Sequence, residues 1–438
     1  MKKHIKLFIV LGIILVGSFS FYLFKGYKKD ALVYENNKIK PSSSGIAMML
    51  ETSAGSGNYE MTTRSEWPTE GYVFNVNLSK CEKGSELSWD NENKKVLMSG
   101  NKSDKCYVYF DVYVKQRFDQ SCNDNTLACH TAKLYTGTQG ANNIYYHDAN
   151  LTNGAGDNSY RYAGASDQVN NYVCFGSSTT PCPADNLYRI IGVFGDKVKL
   201  IKSDYATTAL LGTDGDYKQA YTATGYSSSS YKGNNLANVA AYTWNYKNNT
   251  TINSGYGSNT WSTSLLNKTN LNKNFITNIG ADWAAKIAET TWKVGGNTWA
   301  NIGTQPAKTA YQNEIVSPVT TNTTDNATDY SAKVGLMYVS DYMYAAPQDK
   351  WTLVGYNSDA SKDYRAATSV NWMYMGLWEW TISRYADLAF YVFYVYYTGF
   401  VLNSNAFNAY GVRPVFYLSS SVNYASGSGT AADPISIN

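Results

Sequence analysis

The side chains suited to catalysis or metal binding are few in this chain of 438 residues: three histidines, six cysteines and scattered carboxylates. A Ser/His/Asp or Cys/His centre needs an accessible imidazole beside its nucleophile. His130 and His147 both fall in a loop-rich stretch, His4 stands near the start, and no His follows residue 147. No catalytic set is expected, and the chain reads as non-enzymatic. Glu379, the only Glu after Glu314, stands between Trp378 and Trp380. A satisfied structural hydrogen bond outweighs general-acid work there. Asp214-Gly-Asp216 offers calcium-type oxygens, yet a lone acidic turn is more often simply a turn, so neither metal nor cofactor is expected.

The cysteines form three local pairs: Cys81 with Cys106, Cys122 with Cys129, Cys174 with Cys182. An even count so arranged suits disulfides, and joining neighbours is the simplest of the fifteen connectivities. Free thiols and a metal site are the alternatives. The metal is weakened by the missing two-residue spacing and the scarcity of His. Disulfides imply an oxidising compartment.

The start of the chain agrees. Leu7 to Phe24 is uncharged and mostly apolar, long enough for a membrane-spanning helix, and Lys2, Lys3 and Lys6 precede it. The expectation is an uncleaved signal anchor over residues 1–24, a single-pass cell-membrane location and the bulk of the chain outside. A cleaved signal peptide is the alternative. Net charge of +3 without a basic stripe argues against nucleic acid as a partner.

Beyond the anchor, residues 25–70 read as a polar stalk and 71–115 as a small β-module too thin to hold itself by burial alone, closed by Cys81 and Cys106. Residues 116–169 read as a loop-rich connection and 170–438 as the main domain. Within it, Leu187 to Tyr205 reads as two strands joined by a Gly195-Asp196 turn. Two helical patches follow, the first with Ser262 as candidate cap. The expected class is α+β.

One segment stands apart from this polar background. Leu388 to Leu402, "LAFYVFYVYYTGFVL", carries seven aromatic residues in fifteen positions and no charge. Such a stretch is an aggregation liability unless a rigid scaffold holds it. Strand alternation places Tyr391, Phe393, Val395 and Tyr397 on one face and Phe390, Val392, Tyr394 and Tyr396 on the other. An ordinary strand with aromatic packing on both faces is the plain alternative to a displayed surface.

The surrounding residues resemble a known family. The lead-in "WMYMGLWEWTISR", the spacing "VFYV…TGFV" and the close "GVRPVFYL…GSGTAADPISI" are similar to the C-type-lectin-like variable proteins of bacterial diversity-generating retroelements. The match is most specific over residues 372–435 and looser from about residue 170; the earlier segments resemble surface proteins of Gram-positive gut bacteria. The resemblance implies a C-type-lectin-like (formylglycine-generating-enzyme-like) C-terminal domain. It also implies a variable region near residues 382–416, where adenine-directed copying turns AAY codons into most residues except Lys, Glu, Gln, Met and Trp. None of those five types occurs from Ile382 to Asn438, although they make up about a fifth of the preceding chain.

The family's framework makes Phe393, Val395 and Val401 the core candidates. The resemblance then implies a variable, ligand-binding set of Tyr385, Leu388, Ala389, Phe390, Tyr391, Tyr394, Tyr396, Tyr397, Phe400, Leu402, Ser404, Phe407 and Tyr410. Tyr394, Tyr396 and Phe390 are expected to face outward, with Tyr385, Phe400 and Tyr410 beside them. Tyr-rich surfaces give large contact area at small entropic cost. The expected function is therefore a cell-surface-anchored binder of varying specificity. Its expected partner is a protein or glycan on another cell, phage or host surface. A fixed-specificity, calcium-independent adhesin or lectin of the bacterial surface is the alternative. An oxidase of the formylglycine-generating kind is disfavoured, because no Cys follows Cys182.

Overall fold

The computed structural model describes residues 39–41, 44–101, 103–113, 117–221, 229–247, 255–318 and 328–438. They fall into two compact units, one ending at residue 116 and one running from Arg117 to Asn438.

The first unit contains β1 (Ile46–Glu51), β2 (Tyr59–Thr62), β3 (Tyr72–Phe74), β4 (Lys80–Cys81), β5 (Glu86–Asp90), β6 (Lys95–Ser99) and β7 (Cys106–Val112). β1 lies between β2 and β7, antiparallel to the first and parallel to the second. Both β1 and β2 come from the stretch that composition suggests is a stalk. Alternation along β1 and β7 turns Met48, Leu50, Val108 and Phe110 into a core with Trp67 and Val96. The core is small, and a disulfide joins Cys81 of β4 to Cys106, directly opposite it on β7. The other two disulfides also join sequence neighbours, Cys122 to Cys129 and Cys174 to Cys182.

The second unit takes in the region expected to be a loose connection. It contributes α1 (Leu127–Lys133), β8 (Ile144–His147) and β9 (Ser159–Tyr162), ahead of β10 (Tyr172–Cys174), β11 (Leu187–Phe194) and β12 (Lys197–Lys202). β11 and β12 form the hairpin turned by Gly195 and Asp196, with Gly195 at a φ of 63° that a side chain would resist. Further on come β13 (Tyr217–Ala220), β14 (Ala240–Thr243), β15 (Thr290–Lys293), β16 (Gly296–Asn297), β17 (Asp329–Ala332) and β18 (Val334–Gly335). Then follow β19 (Glu379–Tyr385), β20 (Tyr391–Val395), β21 (Val401–Asn405), β22 (Ala409–Tyr410) and β23 (Val415–Tyr417), and the chain closes with the antiparallel pair β24 (Tyr424–Ser426) and β25 (Ser436–Ile437). A seven-stranded sheet has the order β18-β23-β12-β11-β9-β8 with β10 also on β11, so the C-terminal β23 pairs with β12 from the middle of the chain.

The first helical patch forms a helix over Leu266–Phe275, but its expected cap is displaced. Ser262 lies inside the short turn Trp261–Thr263, while Ser264 Oγ accepts from the Asn267 backbone N–H at 3.1 Å. The second patch is shorter than expected, Ala281–Ala285, and its Thr290–Trp292 end belongs to β15.

The membrane reading is corrected. Among the described residues no helix is long and apolar enough to cross a membrane, and Leu7 to Phe24 lies outside them. The class is a mixed α+β chain with three disulfides, stated without the transmembrane helix, the membrane partner, the single-pass location or the anchored function expected from the sequence.

Candidate ligand-binding face

The aromatic segment is built on a four-stranded sheet of order β16-β19-β20-β21. Two tryptophans tie that sheet to its neighbour. Trp380 Nε1 donates to the Tyr242 carbonyl and Trp244 Nε1 donates to the Thr381 carbonyl, both at 2.9 Å. Beneath them, Arg413 reaches Glu379 with Nε at 2.7 Å and Nη2 at 3.0 Å, both side chains fully enclosed. Glu379 is thus the structural partner its setting between two tryptophans suggests.

β20 is buried along both faces at its inner positions. Val392, Phe393, Tyr394 and Val395 are all enclosed, and Val401 opposite Val395 completes that layer. Phe393 stacks on Trp299 on one side, with ring centroids 6.4 Å apart. On the other side, Tyr394 lies opposite Trp380 and Leu402 in the strand register. Tyr410 fills the space above, 4.8 Å from Tyr394 and 4.4 Å from Trp380. Tyr394, Phe400 and Tyr410 are therefore buried, at 6%, 9% and 7% exposure, where the sequence reading turned them outward. Burial pushes the Tyr394 and Tyr410 phenols up, so both stay neutral.

The expected binding residues that reach the surface gather in two places. In the first, Tyr396 and Tyr397 lie 4.6 Å apart beside the half-buried Trp378, which is 5.9 and 6.3 Å from them. Tyr396 stacks on Phe400 at 4.5 Å, and Tyr374 donates its hydroxyl to the Tyr397 carbonyl at 2.5 Å. Leu402 and Ser404 lie on β21 next to this group, where Ser404 Oγ and Tyr410 OH share a 2.8 Å hydrogen bond. The second place is the loop from β19 to β20. There Tyr385, Phe390 and Tyr391 form consecutive ring contacts, Ala389 is half-buried and Leu388 is 40% exposed. Phe407 borders the second place, its backbone N–H donating to the Tyr256 carbonyl at 3.1 Å, while its ring packs on Tyr246 at 5.3 Å with the Lys218 ammonium 4.8 Å over it.

Four residues of this face escape a reading confined to the aromatic segment. Trp378 belongs to the Trp-rich lead-in, so it carried a signal. Tyr246 and Tyr256 did not, although Tyr256 stacks on Phe390 at 5.1 Å and both are about half exposed. Asn259 is the least legible. Its side-chain amide lies 2.7, 2.9 and 3.0 Å from the carbonyls of Tyr385, Leu388 and Tyr391, and its backbone N–H donates to Ala389 O. One buried amide thus pins the whole β19–β20 loop.

The face is made of aromatic rings, hydroxyls and amides, a chemistry of contact and hydrogen bonding. Among the described residues the histidines, His130 and His147, are elsewhere. His147 is enclosed against Tyr344 and Trp351, and His130 stacks on Tyr424 at 3.6 Å. Asp216 is committed as well, its carboxylate accepting from Thr243 Oγ1, Tyr246 N and Leu266 N. No protein-family model, curated protein or solved structure matches the chain.

Proposed function

We propose that the Arg117–Asn438 unit is a non-enzymatic binding domain, of the kind seen in retroelement variable proteins, whose recognition surface is the aromatic face of Trp378, Tyr396, Tyr397 and the β19–β20 loop. The observation that carries this reading is the pairing of two facts. The residue alphabet changes at Ile382, just after the buried tryptophans Trp372 and Trp380, and beyond that point five of the partly exposed aromatic residues, Tyr385, Phe390, Tyr391, Tyr396 and Tyr397, lie on or beside one sheet, while Phe407, Tyr417 and Tyr424 lie off it. Half-exposed Tyr and Trp are the side chains that anchor partners in pockets, and the Asn, Ser and Thr between them supply adaptable hydrogen bonds. Each fully enclosed ring contributes about 150–250 Å² of contact.

Resequencing the gene across isolates of the source organism tests the reading. Substitutions concentrated at the surface positions Leu388, Phe390, Tyr396, Tyr397, Leu402 and Phe407, with Phe393, Val395, Gly399 and Arg413 unchanged, are the expected outcome. Variation spread evenly along the chain, or none in this segment, sinks the variable-protein reading and leaves a binder of one specificity.

A further inference from the structure

A cleft of about 520 Å³ opens in the Arg117–Asn438 unit, lined in part by Ser166, Arg189, Asp204, Lys232 and Tyr374. Its volume suits a small molecule. Arg189 is only 3% exposed, and its guanidinium lies between the rings of Tyr172 and Trp372, 4.3 and 4.7 Å away. Nε donates to Asn171 Oδ1 at 2.6 Å, Nη1 to Ser166 Oγ at 2.7 Å, and Nη2 to the carbonyls of Val169 and Ser166. Every one of these acceptors is neutral, and one Nη1 hydrogen is left over.

The equally buried Arg161 and Arg413 each hold a carboxylate, whereas Arg189 forms no ion pair among the described residues. A guanidinium enclosed without a counter-charge is costly, and burial lowers its pKa to about 10. Positive charge nearby is not scarce either. Lys202, buried next to the cleft-lining Ser203, meets no hydrogen-bond partner at Nζ, and Lys232 is exposed at the cleft. Asp204 accepts from Tyr205 N, Tyr231 OH and Asn234 N and, among the described residues, forms no ion pair with Arg189.

We propose that this cleft binds a small polyhydroxylated carboxylate, an acidic sugar, with Arg189 as the partner of its carboxylate. A carboxylate supplies the charge Arg189 lacks in the geometry guanidinium prefers. Hydroxyls are called for by the rest of the lining, where Ser203, Asn234, Thr368 and Ser369 offer hydroxyl and amide groups. The exposed Asp167 carboxylate accepts from ligand hydroxyls and disfavours a bare anion. All these residues precede Ile382, so the specificity is constant whatever the aromatic face displays.

Titration calorimetry of the full chain with glucuronate, and with glucose as the neutral control, tests this. Glucuronate is expected to bind at least tenfold more tightly than glucose. Equal affinities, or no binding of either, overturn the proposal. Arg189→Gln should abolish the preference, but it alters a buried site. The exposed Lys232→Glu is therefore read beside it, with glucuronate affinity expected to fall about tenfold at an unchanged unfolding midpoint. Glucuronate affinity that survives Lys232→Glu, or survives Arg189→Gln in a folded variant, overturns the assignment. Tyr396→Ala should leave glucuronate affinity within twofold, which separates this site from the aromatic face; a larger loss overturns the placement in this cleft.

Discussion

Arg413 and Glu379 meet in a bidentate pair at 2.7 and 3.0 Å, with Arg413 Nη2 also donating to the Met373 carbonyl at 2.7 Å. The pair joins the first residue of β19 to the segment leading into β23, so it ties the four-stranded sheet that carries the aromatic face to the large sheet. Removing one partner strands the other charge in the interior. Arg413→Gln is expected to cost about 3–5 kcal/mol in urea denaturation. The double change Glu379→Leu with Arg413→Met should cost less than either single change. A double variant as unstable as the sum of the singles contradicts this account.

Asn259 acts on the loop rather than on the core. Asn259→Ala deletes the amide that holds three carbonyls and should lower stability by about 1–3 kcal/mol. Hydrogen exchange resolved by residue should show faster exchange at the Tyr391 backbone N–H, which donates to Leu388 O, with the β11–β12 hairpin unchanged. Uniform acceleration across the chain would mean that Asn259 serves global stability instead.

The tyrosines of one short segment divide by burial. Tyr394→Ala and Tyr410→Ala empty enclosed space and should each cost about 3 kcal/mol or more. Tyr396→Ala and Tyr397→Ala, at half-buried positions, should each cost about 1 kcal/mol. Denaturation midpoints that fail to separate the two pairs would contradict the assignment of framework and display.

His147 makes stability fall in acid. Its Nδ1 accepts from Ala155 N at 3.1 Å, it is fully enclosed, and burial holds its pKa well below 6.5, with the nearby Arg161 adding to the effect and Asp157 opposing it. The unfolded chain takes up this proton near pH 6.5 while the folded chain does not. The stabilisation is therefore complete above that pH and is lost as pH falls toward the folded value. Relative to a folded His147→Phe variant, the wild type should lose stability as pH falls below 6.5, with a slope of at most about 1.4 kcal/mol per pH unit. An equal pH slope in both proteins would rule this out.

What the sequence determined by itself was local or compositional. Each cysteine pairs with its neighbour because short loops bring near residues together, and Gly195-Asp196 turns its hairpin because both strands flank it directly. Phe393, Val395 and Val401 are core, as expected from the sequence. The restricted alphabet after Ile382 is visible only in the sequence. Features that depend on distant partners emerge only once the chain is folded. β1 is a strand because β7, over fifty residues later, pairs with it, although its surroundings read as a stalk. Tyr394 alternates as an outward residue should, yet Trp380 and Tyr410 cover it, because a strand inside a layered domain has neighbours on both faces. Asn259 carries no local mark of its role, since three carbonyls more than a hundred residues away create it.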